Sequence, residues 1–427
     1  MDATIFAVSS GRPPAAIAIV RVSGPRAIAA MTTIAGTLPA PRRAGLRVLR
    51  DSDGGVLDRA LVLVFPGPDS ATGEDLVEIH CHGGRAVVDA IERALATMPG
   101  LRPAVAGEFT RRALINGRID LAEAEGLADL LGAETERQRI AALSAVEGRV
   151  GAAVRGWLDR LAMVSARIEA LLDFSDEDDV VGAGDTADAI RLDLAVLTAD
   201  MDEVLAQPPV ERLRDGIRVV LGGAPNSGKS TLINLLVERD VAIVSPIAGT
   251  TRDRIEASVT RVGLPFVLTD TAGLTDRSDD SIERLGISLA AAAIAAADIV
   301  IWLGDDLPPV AAALWVHARC DVPGREVVPA GKLLAISSSD RASVDLLWRM
   351  IVERAEALVP AADAVTLSRW QADRCRSAVD VLRSSADDLL ILAEECRVAR
   401  GLLGTILGVD ATETLLDALF RRFCIGK

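Results

Sequence analysis

The run GGAPNSGKS sets Gly223 ahead of Gly228, Lys229 and Ser230 at the spacing of a phosphate-binding loop. Glycines let successive backbone N–H groups close around oxyanions without Cβ clashes. The lysine reaches the β- and γ-phosphates, and the serine hydroxyl ligates Mg2+. The nucleotide-binding residues expected from this run are Asn226, Ser227, Gly228, Lys229, Ser230 and Thr231. A second run, DTAG, offers Asp270, Thr271, Ala272 and Gly273. Its aspartate suits the surroundings of Mg2+, and its glycine N–H suits a γ-phosphate. Between the two lies SPIAGTTRD, with Ser245, Pro246, Ile247, Ala248, Gly249, Thr250 and Thr251. A threonine in such a loop lends its hydroxyl to Mg2+ only while the γ-phosphate is present, and Thr251 is the expected ligand. The order of these three runs points to a GTPase rather than a generic ATPase.

Two positions depart from the usual GTPase pattern. Leu274 follows DTAG where a glutamine would orient the attacking water. Glu283, in DDSIERLG, is the candidate replacement, although a glutamate at a helix start also occurs for its charge alone. The guanine-reading element normally carries Asn and Lys ahead of its Asp. In HARCD, Asp321 is in place, but Ala318 and Arg319 stand at the other two positions. An aspartate there accepts hydrogen bonds from guanine N1 and N2, which adenine cannot donate, so guanine preference is expected to rest on Asp321. Ser337–Ser339 form a weak version of the loop that helps hold the base. The segment between IVIWLGDD and AALWV is short for a parallel crossover, so a helix of the ordinary domain is expected to be missing.

The elements that must position these residues are legible as short apolar runs. IRVVL precedes the phosphate loop and TLINLLVER follows it, the strand–loop–helix context the motif requires. The expected fold is α+β and multidomain. An N-terminal α/β domain covers 1–117, where AAIAIVRVSG, RALVLVF and DLVEIHCHGG read as strands. An all-α domain is discontinuous, over 118–210 and 360–427, and a Ras-like α/β P-loop domain over 211–359, abbreviated in its second half, is inserted into it.

Composition excludes some classes. Half of the residues are hydrophobic, a quarter are charged and the net charge is −15, which opposes general nucleic-acid binding by counterion release. The arginine pairs Arg42–Arg43, Arg111–Arg112 and Arg421–Arg422 read as solvated surface pairs. Five cysteines without a CxxC pair give neither a disulfide framework nor a zinc knuckle. No secretory leader or membrane span is read, and the expected location is cytoplasmic. Glu78, His80 and His82 share one face of a strand, but no second cluster completes a metal site.

RVSG, GEDLVEIHCHGG, AGEFTRRALINGRIDLAEAEGLADL, PNSGKS, IAGTTRD, DTAGL, ERLGI and the final FCIGK together resemble the MnmE (TrmE) family of tRNA-modification GTPases from end to end. The resemblance implies a homodimer with an N-terminal folate-binding and dimerisation domain. It implies a partner, the FAD protein MnmG (GidA), in a heterotetramer or larger assembly. The two would add a carboxymethylaminomethyl group to C5 of the wobble uridine of certain tRNAs, with 5-formyltetrahydrofolate or a related tetrahydrofolate as one-carbon donor. It implies a K+ ion held by Asn226, Ser245, Ile247 and Thr250, and a catalytic role for Glu283. It maps folate contacts to Arg21, Glu78, Arg118 and Lys427. The tail RRFCIGK lacks the pattern of a prenylation box, and the resemblance has it fold back onto the folate site, with Cys424 a candidate thiol there. A competing reading is a nucleotide-gated scaffold with decayed guanine specificity and little turnover.

Overall fold

The computed structural model describes residues 3–173, 187–238, 241–242, 256–271, 280–361, 364–383, 388–409, 413–421, 423 and 425–426. The chain divides into two compact units, Met1–Ala128 with Gly404–Lys427, and Asp129–Leu403.

In the first unit, alternating apolar runs form six strands: β1 Thr4–Val8, β2 Ile17–Ser23, β3 Gly45–Arg50, β4 Val56–Phe65, β5 Leu76–His82 and β6 Leu101–Pro103. Their order is β3-β4-β5-β2-β1-β6, antiparallel except for the parallel pair β1 and β6. The side chains of Val20, Val22, Val62, Val64, Val77 and Ile79 turn to one face, as the two-residue strand period dictates. That face is covered by Met31 and Ile34 of the helix Ala27–Ala35 and by Val88, Ile91 and Leu95 of the helix Arg85–Ala96.

In the second unit, β7 Ile217–Gly222, β8 Val241–Ala242, β9 Glu256–Arg261, β10 Leu264–Asp270, β11 Ile299–Trp302, β12 Leu314–Ala318 and β13 Leu334–Ile336 form one sheet, ordered β13-β12-β11-β7-β10-β9-β8. The five strands from β13 to β10 are parallel. Central β7 is buried along nearly its whole length, the signature of a parallel strand covered on both faces. Leu232 and Leu236 of the helix Lys229–Val237 and Leu347, Trp348 and Ile351 of the helix Arg341–Glu356 cover the face that carries Ile217, Val219 and Leu221, and the helix Asp280–Ala295 also packs on β7. Trp348 meets Phe266 of β10 edge-on at 5.2 Å.

The first part of the all-α stretch opens with three helices, Leu121–Leu131, Glu136–Val146 and Arg149–Asp173. Thr135 and Gln138 form a reciprocal capping box that restarts the chain, and Gly148 takes φ +78° before the third helix. The helix Ala187–Leu205 packs on both Arg149–Asp173 and Arg369–Leu382, so helices from before and after the second sheet meet. Trp157 Nε1 donates to Asp200 Oδ2 at 2.9 Å across the first of these contacts. No helix among the described residues is long and apolar enough to cross a membrane.

Candidate functional site

The phosphate loop leaves the end of β7, between β10 and β11, and enters the helix Lys229–Val237 through Gly228. Gly228 has φ +99°, a left-handed conformation that a Cβ would strain. Lys229 is buried, and its Nζ donates to the carbonyls of Gly223 at 2.9 Å and Ala224 at 2.8 Å. The ammonium thus lies inside the loop's curve. Burial pushes its pKa down, and the charge of Asp270 offsets part of that shift. Ser227 Oγ is buried with no partner among the described residues, as suits a hydroxyl facing a phosphate oxygen.

Asp270 ends β10 in register with Leu221 of β7, which carries its carboxylate to the loop. Ser230 Oγ donates to Asp270 Oδ2. Two hard oxygen donors side by side are the donor chemistry that suits Mg2+. Thr271 Oγ1 donates to the Leu221 carbonyl at 2.7 Å and locks the strand end.

The residues expected to read guanine come together beside this loop. Arg319 adopts φ +62°, and its Nη1 donates to the Asn226 carbonyl at 2.9 Å. Residue 318 is expected to tie the two loops in ordinary GTPases; here Ala318 is buried and Arg319 makes the tie. Asp321 is exposed, and Ser339 Oγ lies 3.4 Å from its Oδ2. Ser337 supports Ser339, its Oγ accepting from the Ser339 N–H at 3.0 Å. The link from Arg319 to Asn226 escaped the sequence reading, because it joins distant residues through an unusual backbone angle.

A second polar cluster occupies the first unit. Arg21 on β2 and Glu78 on β5 are cross-strand partners, and Arg21 Nη2 donates to Glu78 Oε1 at 2.7 Å. Burial raises the Glu78 carboxyl, but the hydrogen bonds and charges of Arg21 and His80 outweigh it and hold the group below the usual carboxylate range. The Arg21 guanidinium lies 5.8 Å from the Phe109 ring centre, within cation–π reach. Arg118 pairs with Asp69 at 3.5 Å, and no described contact joins it to Arg21 or Glu78. His82 Nδ1 bonds Asp58 at 2.8 Å, and no His, Cys, Asp or Glu cluster among the described residues is placed to hold a metal.

Arg112 corrects the reading of the arginine pairs as surface pairs. It is 1% exposed and binds Glu74 and Glu108, while Arg111 pairs with Glu413 and Asp417. The four-residue spacing of Glu108 and Arg112 on one helix was the available signal.

The chain end docks on this unit. Ile425 bridges Ala106, and Ser9 Oγ donates to the Gly426 carbonyl at 2.7 Å. Gly426 has φ +99°, and a Cβ there would stand 1.9 Å from the Val8 carbonyl oxygen. Gly426→Ala therefore costs about 1–3 kcal/mol in backbone strain alone and frees the tail. Carboxypeptidase should release the last residues of this variant much faster than those of the parent, with GTP hydrolysis unchanged. Equal release rates would show that the tail contact is unimportant.

Several expected site residues lie outside the described residues: Ser245, Pro246, Ile247, Ala248, Gly249, Thr250, Thr251, Ala272, Gly273, Cys424 and Lys427. Glu283 belongs to the first turn of the helix Asp280–Ala295, and its side chain lies outside the described part.

Comparison with known proteins follows the same division. The family described as GTP-binding protein TrmE N-terminus matches residues 4–118, and the MnmE helical domain matches residues 121–424. The tRNA modification GTPase MnmE of Erythrobacter litoralis is 52% identical over 426 residues, 99% of this chain and all of that protein. That of Rhizorhabdus wittichii is 50% identical over 99% of this chain and 96% of its own length. That of Sphingopyxis alaskensis is 50% identical over 95% of this chain and all of its own. The FeoB G-domain from Methanococcus jannaschii aligns with 33% of this chain and 98% of its own at 20% identity, with a TM-score of 0.24. Two family matches that together span nearly all of the sequence, and relatives half identical along their full length, place this chain in the MnmE (TrmE) family of tRNA modification GTPases.

Proposed function

We propose that this chain hydrolyses GTP and couples that cycle to the modification of the wobble uridine of certain tRNAs. The observation that carries the reading is the phosphate loop with Lys229 buried inside it and Ser230 Oγ bonded to Asp270. Lys229 and the loop amides hold the β- and γ-phosphates, with Ser227 Oγ a further donor. Ser230 and Thr251 ligate Mg2+, Asp321 reads guanine, and Glu283 orients the attacking water. K+, when bound at Asn226, Ser245, Ile247 and Thr250, supplies positive charge to the transition state in place of an arginine finger.

The same reading assigns residues 1–117 to folate binding and dimerisation, 118–210 and 360–427 to the helical domain, and 211–359 to the GTPase domain. Arg21 and Glu78 offer a guanidinium and an ionised carboxylate side by side, suited to a ligand that both accepts and donates, as tetrahydrofolate does. Arg118 and Lys427 complete that set, with Cys424 a candidate thiol nearby. The chain acts as a cytoplasmic homodimer with the flavoprotein MnmG, and the pair adds the carboxymethylaminomethyl group. The direct tie from Arg319 to Asn226 favours turnover over a decayed scaffold, because it keeps the guanine loop joined to the phosphate loop.

Hydrolysis by the purified chain is expected to be faster in K+ than in Na+ and faster with GTP than with ATP. Glu283→Ala should lower kcat by roughly a hundredfold, the worth of a positioned acid–base group, while GTP still binds. Rates indifferent to the cation would remove K+ from the proposal. A deletion strain that retains the full wobble modification would refute the pathway.

A further inference from the structure

Strands β11, β12 and β13 run parallel, yet connections 303–313 and 319–333 contain no helix. Parallel strands are ordinarily joined across a packed helix, whose burial also steadies the loops at its ends. The guanine-side loop opens the second connection, so its position must be held in another way.

An ion cluster joins the two connections. Asp305, from the first, accepts from Arg325 Nη1 at 2.9 Å and Nη2 at 3.0 Å, a two-pronged fit. It also accepts from Lys332 Nζ at 2.6 Å. Arg325 and Lys332 both come from the second connection. The Lys332 side chain is fully buried, with its ammonium 5.8 Å from the Trp315 ring centre. Trp315 Nε1 in turn donates to the Gly304 carbonyl at 2.9 Å, next to Asp305. The hydrogen bonds and charges of Arg325 and Lys332 push the Asp305 carboxyl far below the usual range, so the cluster stays charged.

Arg325 carries this order into the guanine-side loop. Its Nε donates to the Ala318 carbonyl at 3.2 Å, and its own carbonyl accepts from His317 Nε2 at 2.8 Å. Between the two ends run successive turns. The Val322 N–H donates to the Arg319 carbonyl at 3.1 Å, and the Arg325 N–H donates to the Val322 carbonyl at 3.0 Å. Asp321 lies in the first turn, and Arg319 at its head reaches the phosphate loop.

We infer that Asp305 and Arg325 are positioning residues for guanine recognition, their ion pair fixing the turns that aim Asp321 at the base. The pair takes over the steadying role that crossover helices play in an ordinary domain. The inference rests on Asp321 being the guanine acceptor. ATP gains nothing from Asp321, so a loosened loop penalises GTP alone.

Steady-state hydrolysis of GTP and ATP by the full-length protein tests this. Asp305→Asn keeps the shape and removes the charge. It should raise KM for GTP by roughly tenfold, the scale of one charge-assisted hydrogen bond. It should leave kcat nearly unchanged, and the preference for GTP over ATP should shrink by the same factor. Arg325→Lys keeps the charge but loses the fork, and should show a smaller loss of the same kind. It carries the test if Asp305→Asn does not fold. A GTP preference equal to the parent's in the folded variants overturns the inference, as does a fall confined to kcat. A parent protein with no GTP preference overturns the reading of Asp321, and this inference with it.

Discussion

Lys229→Ala is expected to lower kcat/KM for GTP by roughly a thousandfold, the upper range for removing one preorganised charge from a phosphoryl or acyl transition state. The argument is geometric. Lys229 opens the helix Lys229–Val237, and its ammonium is turned back into the loop by the carbonyls of Gly223 and Ala224. That curve is where the phosphates' negative charge gathers. Burial costs the ammonium hydration and lowers its pKa, against the charge of Asp270. A buried cation that the fold does not need is expensive to keep, which is reason to read it as kept for an anionic ligand. Stability should change little, because Ala224 is exposed and Gly223 is partly so, a surface position at which freed carbonyls are expected to find water. Isotopic phosphate release and a thermal melt separate the effects. A lost melting transition would mean that the lysine is structural, and near-parental turnover would remove it from the site.

The phosphate loop was legible because its chemistry is contiguous: one strand, one glycine-rich turn and one helix start hold Gly223 to Thr231. Strands β7, β10 and β11 were legible because strands buried on both faces read as predominantly apolar runs, broken in β7 only at the exposed Arg218. The breaks in the helical stretch after Leu121 were less visible, although Thr135 and Gln138 spell a capping box and Gly148 marks a turn. Contacts between loops carried no sequence signal. Arg319 reaches Asn226 across 93 residues by a side chain that a motif comparison scores as a mismatch. Asp305, Arg325 and Lys332 lie in irregular segments where spacing has no fixed geometric meaning. Arg112 misled for a different reason. Adjacent arginines read as a solvated pair, but consecutive helix positions point about a quarter-turn apart, so one was free to be buried.

Arg112→Ala is expected to destabilise the first unit by about 3–5 kcal/mol, the cost of leaving buried charges without their partner. Arg112 sits on the helix Glu108–Ile115 and ties three segments together. Its Nη1 donates to Glu74 Oε2 at 2.8 Å, and its Nη2 donates to Glu108 Oε1 at 3.1 Å and to the Ala3 carbonyl at 2.9 Å. Glu74 also accepts from Ser23 Oγ at 2.9 Å, and Glu108 accepts from Arg102 Nη1 at 2.8 Å and from the Val105 N–H at 3.0 Å. Removing Arg112 takes from Glu74 its cationic partner and from Glu108 one of its two, with both carboxylates largely buried. Arg112→Lys should recover only part of the loss, since an ammonium cannot span both carboxylates as the planar fork does. Acid should act on the same cluster in the parent protein. Burial raises the Glu108 carboxyl, but Arg102, the Val105 amide and Arg112 prevail and hold it below the ordinary glutamate value. A carboxyl depressed in the folded state contributes stability that is complete above its unfolded pKa and is lost as pH falls through its folded one. The first unit should therefore weaken on the acid side of the ordinary glutamate range, and the variant should weaken less steeply there. All five tryptophans, at 157, 302, 315, 348 and 370, belong to the second unit. Urea unfolding of the variant should show an early far-UV circular dichroism step to which tryptophan fluorescence is blind. A variant whose two signals still move together at the parent's midpoint would show that the cluster contributes little to the first unit.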